Sequence, residues 1–225
     1  ARQDAPRFQV GIPGCQDDVA VKASRELVTF QSRGRPIRAY LYSPGGQPNG
    51  AAMVLLHGGT GFEMNSILFD AHAIQLASRG YWVLLPAYFD AWEPRATQRI
   101  VSARAWKQVA LDAVRDLEAR PGVAAGRVTL WGYSRGGGVA LDAVTSPESP
   151  ARSAILVASG GRPDTDQVGD DLSILLMHAR RDEAVSARTT IRSAEALRDA
   201  GATVEVSQLD FDGHQFDLAT WCDVM

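Results

Sequence analysis

The sequence predicts an α/β domain: a mostly parallel central sheet with helices on both faces and an antiparallel hairpin at its N-terminal end. Three observations carry this. Short apolar runs rich in leucine or β-branched residues alternate with segments of helical period through most of the chain. The helical segment Val101 to Ala119 bears one apolar stripe: Trp106, Val109, Ala110, Ala113, Val114 and Leu117 fall at i, i+3, i+4, i+7, i+8 and i+11, the pattern of a helix laid on a sheet. Upstream of the alternation, two stretches of period two flank a turn.

Taken in order, residues 1 to 24 are weakly patterned and read as an arm on the domain surface. Glu26 to Phe30 and Ile37 to Tyr42 alternate apolar and polar side chains around Ser32-Arg33-Gly34-Arg35, which predicts the hairpin. Strand and helix then succeed one another: Ala52 to Leu56, Ser66 to Arg79, Trp82 to Leu85, Val101 to Ala119, Val128 to Trp131, and Gly137 to Val144. Ala154 to Ala158 and Ser173 to Met177 follow as strands, Thr189 to Ala200 as a helix and Thr203 to Gln208 as a strand. No Gly/Ser/Pro-rich linker or internal repeat divides the chain, so residues 1–225 are expected to form one domain.

A formal charge of −3 leaves no basic footprint for a phosphate backbone, and a nucleic-acid partner is not expected. The longest apolar runs, Ala51 to Leu56 and Tyr81 to Leu85, fall well short of the ~20 residues that cross a bilayer, so no membrane association is expected. The chain starts at Ala1 without a methionine, as it would after removal of a signal peptide or after trimming. An exported, periplasmic location is the expectation over a cytoplasmic one. The only cysteines, Cys15 and Cys222, lie near opposite ends; a disulfide joining them and two free thiols both stay open. Oligomeric state is left open.

The chemistry concentrates in Gly132-Tyr133-Ser134-Arg135-Gly136, a G-x-S-x-G pattern placed between a strand and a helix. So sharp a strand–turn–helix needs glycines where a Cβ would collide, and it holds the serine hydroxyl exposed at the end of a strand. A serine hydroxyl requires a base. Of the four histidines, His57 ends a strand ahead of Gly58-Gly59, His72 lies in a helical pattern and His178 ends a strand, all structural readings. His214, in a loop after the last strand, is placed to reach across the sheet top. The orienting acid should follow a strand between serine and base, and Asp182 does; Glu183, Asp210 and Asp212 are weaker rivals. Each interval holds about one or two βα units at ~30 residues per βαβ unit.

A tetrahedral oxyanion needs two aimed N–H donors. One is expected from the backbone of Arg135 and the other from His57-Gly58-Gly59-Thr60-Gly61, with Gly59 favoured and Thr60 second. A phosphate-cradling role for that loop lacks the lysine and Ser/Thr of a P-loop. The aromatic stretch from Tyr88 to Thr97 reads either as one wall of a pocket or as a surface loop; Tyr88 and Trp92 are its candidate substrate contacts. Arg135, beside the nucleophile, is a further one, suited to a substrate carboxylate or to a structural ion pair.

Together these motifs resemble the α/β-hydrolase superfamily from Glu26 to the C-terminus, with the order Ser, Asp, His. Within it the chain is most similar to the dienelactone hydrolase family: it is short, has no large cap insertion, and carries Val83-Leu84-Leu85-Pro86-Ala87-Tyr88-Phe89 and the His178 to Val185 segment, which resembles that family's H-G-x-x-D-x-x-V acid loop. Ser134 stands where dienelactone hydrolases proper carry cysteine, Ala87 where aspartate is common and Ala179 where glycine is. The resemblance implies hydrolysis of a small carboxylic ester or lactone through an acyl-enzyme, without metal or organic cofactor. Rival expectations are a small peptidase or amidase of the same fold, and a binding protein that has lost catalysis.

Overall fold

The computed structural model describes residues 15, 18–93, 99–166 and 168–225. At the N-terminal end, β1 (Ala23–Ser32) and β2 (Arg35–Pro44) pair antiparallel with Ser32 opposite Arg35, so Arg33 and Gly34 alone make the turn. Both have positive φ, 49° and 74°, the backbone that matches the twist of a two-residue hairpin. The helices and strands that follow are β3 (Ala52–Leu56), α1 (Phe62–Ser78), β4 (Trp82–Pro86), α2 (Arg99–Glu118), β5 (Val128–Tyr133) and α3 (Arg135–Val144). The chain then runs through β6 (Ser153–Val157), β7 (Ser173–Arg181), α4 (Ala187–Asp199), β8 (Thr203–Asp212) and α5 (Leu218–Val224).

All eight strands form one sheet in the order β1-β2-β4-β3-β5-β6-β7-β8, antiparallel through β4 and parallel from there on. From β3 the chain steps one way to β4, then returns past β3 to β5 and continues outward. Crossovers between parallel strands are right-handed, so reversing the direction of travel moves the connecting helix to the opposite face. Accordingly α1 packs on one face, with Phe69, Ala73 and Ala77, and α2, α3 and α4 pack on the other. Each central strand divides its side chains by parity. In β5, Val128 and Leu130 enter the α2/α3 side and Trp131 and Tyr133 the α1/α5 side, so the continuous apolar run is a strand buried on both faces.

The reversal leaves a crevice beyond the carboxyl ends of β3 and β5, the position where open α/β sheets bind ligands. Residues 57–61 and Ser134 follow directly from those two strand ends.

The fold class expected from the sequence is the one observed, with shifted ends. β7 and β8 run on to Arg181 and Asp212, where Arg180 bridges Asp210 at 2.6 Å and Asp212 at 3.1 Å across the pair. Helix α3 starts at Arg135 rather than Gly137, because the strand passes into the helix without a connecting loop. Two short elements carried too little periodicity to be read: a 3₁₀ turn over Tyr88–Asp90 and helix α5, which buries Trp221 and Val224 and is capped by Asp217 accepting the Thr220 N–H. Of the expected arm, residues 1–14, 16 and 17 lie outside the described residues. Its remainder is pinned to α1 where Val19 exchanges two hydrogen bonds with the Gln75 amide, 2.9 and 3.0 Å. Cys15 and Cys222 form a disulfide, Cα atoms 5.3 Å apart, resolving the open alternative in favour of the bridge. Among the described residues no helix is long and apolar enough to cross a membrane.

Candidate functional site

Ser134 sits in the turn between β5 and α3 with φ 52° and ψ −117°, a conformation that a non-glycine residue holds only when its surroundings over-determine it. They do. The Ser134 N–H donates to Val157 O at 2.9 Å on the neighbouring strand, and its carbonyl accepts from Gly137 and Gly138 at 3.0 and 3.3 Å. A Cβ on Gly132 would strike the Gly136 carbonyl, one on Gly136 the carbonyls of Leu56 and His57, and one on Gly137 the side chain of Ser159. These glycines bring helix, strand and the end of β3 together closely enough to present the serine hydroxyl.

The Ser134 hydroxyl lies 2.8 Å from His214 Nε2, and His214 Nδ1 lies 2.7 Å from Asp182 Oδ2. A carboxylate only accepts, so Nδ1 carries the ring proton and Nε2 is left to accept from the hydroxyl. Asp182, whose side chain is 1% exposed, turns its other oxygen to the N–H groups of Ala184 and Val185, both at 2.8 Å. Loop 182–185 therefore holds the carboxylate before the imidazole meets it. The rival acids are elsewhere: Asp210 and Asp212 pair with Arg180, and Glu183 is exposed.

Tyr133, unremarked in the sequence except as part of the motif, donates its hydroxyl to the His214 carbonyl at 2.6 Å and lays its ring along the imidazole, centroids 5.3 Å apart. Burial, aided by the charge of Asp182, pushes its phenol up to about 12, so it stays a donor. No local pattern marks a tyrosine that bonds a backbone 81 residues away.

Across the crevice, Gly59 and Thr60 are exposed on the loop after β3. Asn65, in the first turns of α1, accepts the Gly58 N–H and donates to Thr60 Oγ1 at 2.8 Å. The amides of Gly59, Thr60 and Arg135 donate to no protein acceptor among the described residues. His57 is fully buried beneath the loop, stacked on Tyr88 at 4.0 Å with its Nδ1–H on the Gly58 carbonyl. Burial pulls its pKa down to about 4. His72 and His178 are buried as well, His178 with its Nδ1–H on the Ala179 carbonyl at 2.9 Å.

A cleft of about 390 Å³ opens beside Ser134, walled by Ala103, Trp106, Arg135, Val139, Gly160 and Val185. Arg135 lines it with its guanidinium 5.8 Å from the Phe89 ring and 5.7 Å from the Trp106 ring, and no carboxylate among the described residues lies within ion-pair distance. Two of the expected contacts do not line this cleft. Tyr88 is completely buried with its hydroxyl on the His57 carbonyl at 2.7 Å, so it supports the glycine loop from below. Trp92 stacks under Arg35 and accepts the Trp106 indole N–H on its carbonyl, and Trp106 takes the place in the cleft wall. Residues 94–97 of that aromatic stretch lie outside the described residues. Among the described residues no three His, Cys, Asp or Glu side chains gather to hold a metal ion.

The sequence model of the Dienelactone hydrolase family matches residues 37–219. No curated protein matches the chain in sequence. Among solved structures, it superposes on a protein of Klebsiella pneumoniae described as a dienelactone hydrolase (22% identity, 87% of this chain and 89% of that one, TM-score 0.66). It also superposes on a dienelactone hydrolase-like promiscuous phosphotriesterase from metagenomic libraries (20% identity, 87% and 84%, TM-score 0.70). The acylaminoacyl peptidase of Pyrococcus horikoshii matches at 14% identity and TM-score 0.66 over 90% of this chain, which spans only 40% of that longer one. At these identities the likeness establishes the α/β-hydrolase fold.

Proposed function

Because the chain belongs to the dienelactone hydrolase family, we propose that it is a serine hydrolase acting on a carboxylic ester or lactone of a small substrate. One observation carries this reading: hydroxyl, imidazole and carboxylate are joined by hydrogen bonds of 2.8 and 2.7 Å at the mouth of a cleft. Ser134 Oγ attacks the carbonyl carbon while His214 Nε2 takes its proton, and Asp182 holds the imidazole in the accepting tautomer and stabilises the imidazolium. The Arg135 amide and that of Gly59, with Thr60 as second choice, meet the charge arriving on the carbonyl oxygen. The bond to the leaving alcohol breaks and His214 returns its proton to that oxygen. A water molecule then gives its proton to His214 and adds to the acyl carbon, and Ser134 leaves with the proton as the acid is released.

Arg135 lines the cleft with a cation that pairs with no carboxylate among the described residues, which supports preference for substrates bearing a carboxylate near the ester. Where the family proper is expected to use a thiolate, this chain has an alcohol, so hydrolysis of dienelactone itself is not proposed. The Cys15–Cys222 bridge supports an oxidising compartment.

The test is turnover of p-nitrophenyl acetate. Ser134→Ala is expected to lose at least about 10³-fold in kcat, and a fluorophosphonate is expected to label the parent at Ser134 and leave the variant unlabelled. A variant as fast as the parent would overturn the reading. Matched ester and anilide substrates separate esterase from amidase, with the ester expected to dominate.

A further inference from the structure

The glycine loop poses a problem that the Ser134 elbow does not. Its value to the reaction depends on an N–H held in place before charge develops, since preorganised donors are what lower the barrier. Gly58 and Gly59 are the residues least able to hold themselves, having the widest backbone freedom. Something must fix them. The Gly61 N–H to Gly58 carbonyl contact, 3.2 Å, closes the turn, and Tyr88 bonds the carbonyl of His57 ahead of it. Neither these nor the His57 Nδ1–H on the same Gly58 carbonyl, 2.9 Å, engages the Gly58 N–H or the Thr60 side chain.

Asn65 does. Its carboxamide oxygen takes the Gly58 N–H and its amide nitrogen gives a hydrogen bond to the Thr60 hydroxyl, so one planar group grips the loop before and after Gly59. The residue is 6% exposed and anchored by its own N–H to the Gly61 carbonyl at 3.1 Å. Asparagine is a mediocre helix former inside a helix, and here its side chain points back over the start of α1 instead of serving the helix. The grip consumes the Gly58 amide and leaves the Gly59 and Thr60 amides without a protein acceptor among the described residues. On the opposite side Arg135 packs against the open face of Gly59, 3.6 to 3.8 Å from where a Cβ would stand, so the gripped loop abuts the residue after the nucleophile.

We propose that Asn65 is a positioning residue for acyl transfer, fixing the 58–60 backbone so that the Gly59 amide stays aimed at the oxyanion. This rests on the serine-hydrolase reading above.

The experiment measures p-nitrophenyl acetate kinetics per active site, the sites being counted by fluorophosphonate titration so that misfolded molecules do not contribute. Asn65→Leu, which keeps the volume and removes both hydrogen bonds, is expected to lower kcat by roughly 10- to 100-fold with KM within twofold, the signature of an interaction made only in the transition state. Asn65→Asp still accepts from Gly58 and can accept from the Thr60 hydroxyl, and is expected to recover most of the rate. Thr60→Val is expected to lose severalfold in kcat, and to add little on top of Asn65→Leu. A per-site kcat for Asn65→Leu within twofold of the parent overturns the proposal. If that variant yields no titratable sites, Thr60→Val decides: parent-level kcat overturns it, a severalfold loss at constant KM supports it. Full activity of Ser134→Ala would remove the serine-hydrolase reading and this proposal together, whereas an inactive Ser134→Ala beside an unaffected Asn65→Leu would remove this proposal alone.

Discussion

Tyr133 stands between the two halves of the site, its ring filling the space that Gly58 leaves open and its hydroxyl on the carbonyl of His214. Removing that hydroxyl in Tyr133→Phe leaves a part-buried carbonyl unpaired, at a cost of about 1 kcal/mol. We expect a drop of that size in the urea-unfolding free energy and a several-fold loss of kcat as the His214 loop loosens. His57 makes a second prediction at this scale. Its pKa is near 4 in the folded chain against about 6.5 ordinarily, because burial penalises the imidazolium. Below pH 6.5 the unfolded chain therefore takes up a proton that the folded chain refuses. Stability falls as pH drops from 6.5 towards 4, by up to about 3 kcal/mol from this residue. His57→Phe keeps a ring against Tyr88 and removes the titration; its unfolding free energy should show a shallower acid limb than the parent, and an identical limb would refute the assignment.

At the scale of elements, the junction of β5 and α3 determines whether the Ser134 hydroxyl is presented at all. Gly136 has no room for a methyl group, lying against two backbone carbonyls at the end of β3, whereas a methyl on Gly138 would meet only the Gly160 carbonyl at 3.9 Å. Two alanine substitutions two residues apart should thus have opposite signs. Gly136→Ala is expected to destabilise by about 3 kcal/mol or more, since backbone cannot step aside as a side chain can. Gly138→Ala is expected to be neutral or to stabilise by up to about 1 kcal/mol through helix propensity. Denaturant midpoints of the two variants check this. The motif G-x-S-x-G announces the junction in sequence, yet it does not distinguish which glycines are indispensable; that comes from how closely β3 approaches.

At the scale of the molecule, the Cys15–Cys222 bridge ties residue 15 to α5 across a separation of 207 residues. Closing so long a loop restricts the unfolded chain by about 5 kcal/mol in the chain-entropy estimate. Cys222→Ser is expected to lose about 3 to 5 kcal/mol and to lower Tm accordingly, as is the parent under dithiothreitol. The same scale shows what could be read in advance. Period-two and period-3.6 apolar patterns are local, so strands, helices and the fold class were legible from residues alone. The G-x-S-x-G turn and the order of Ser134, Asp182 and His214 were legible for the same reason, each following a strand end. Short α5, the buried course of Tyr88 and the replacement of Trp92 by Trp106 were not, because a few residues carry no period and because the facing of an aromatic ring depends on what packs beside it. The roles of Tyr133 and Asn65 were equally hidden. Sequence by itself determined the sheet, its helices and the residue types at the strand ends. Only the tertiary structure decided which of those residues touch, since the hydrogen bonds that orient base and loop join groups brought together by the reversal of the chain at β3, and no local pattern records a contact across that crevice.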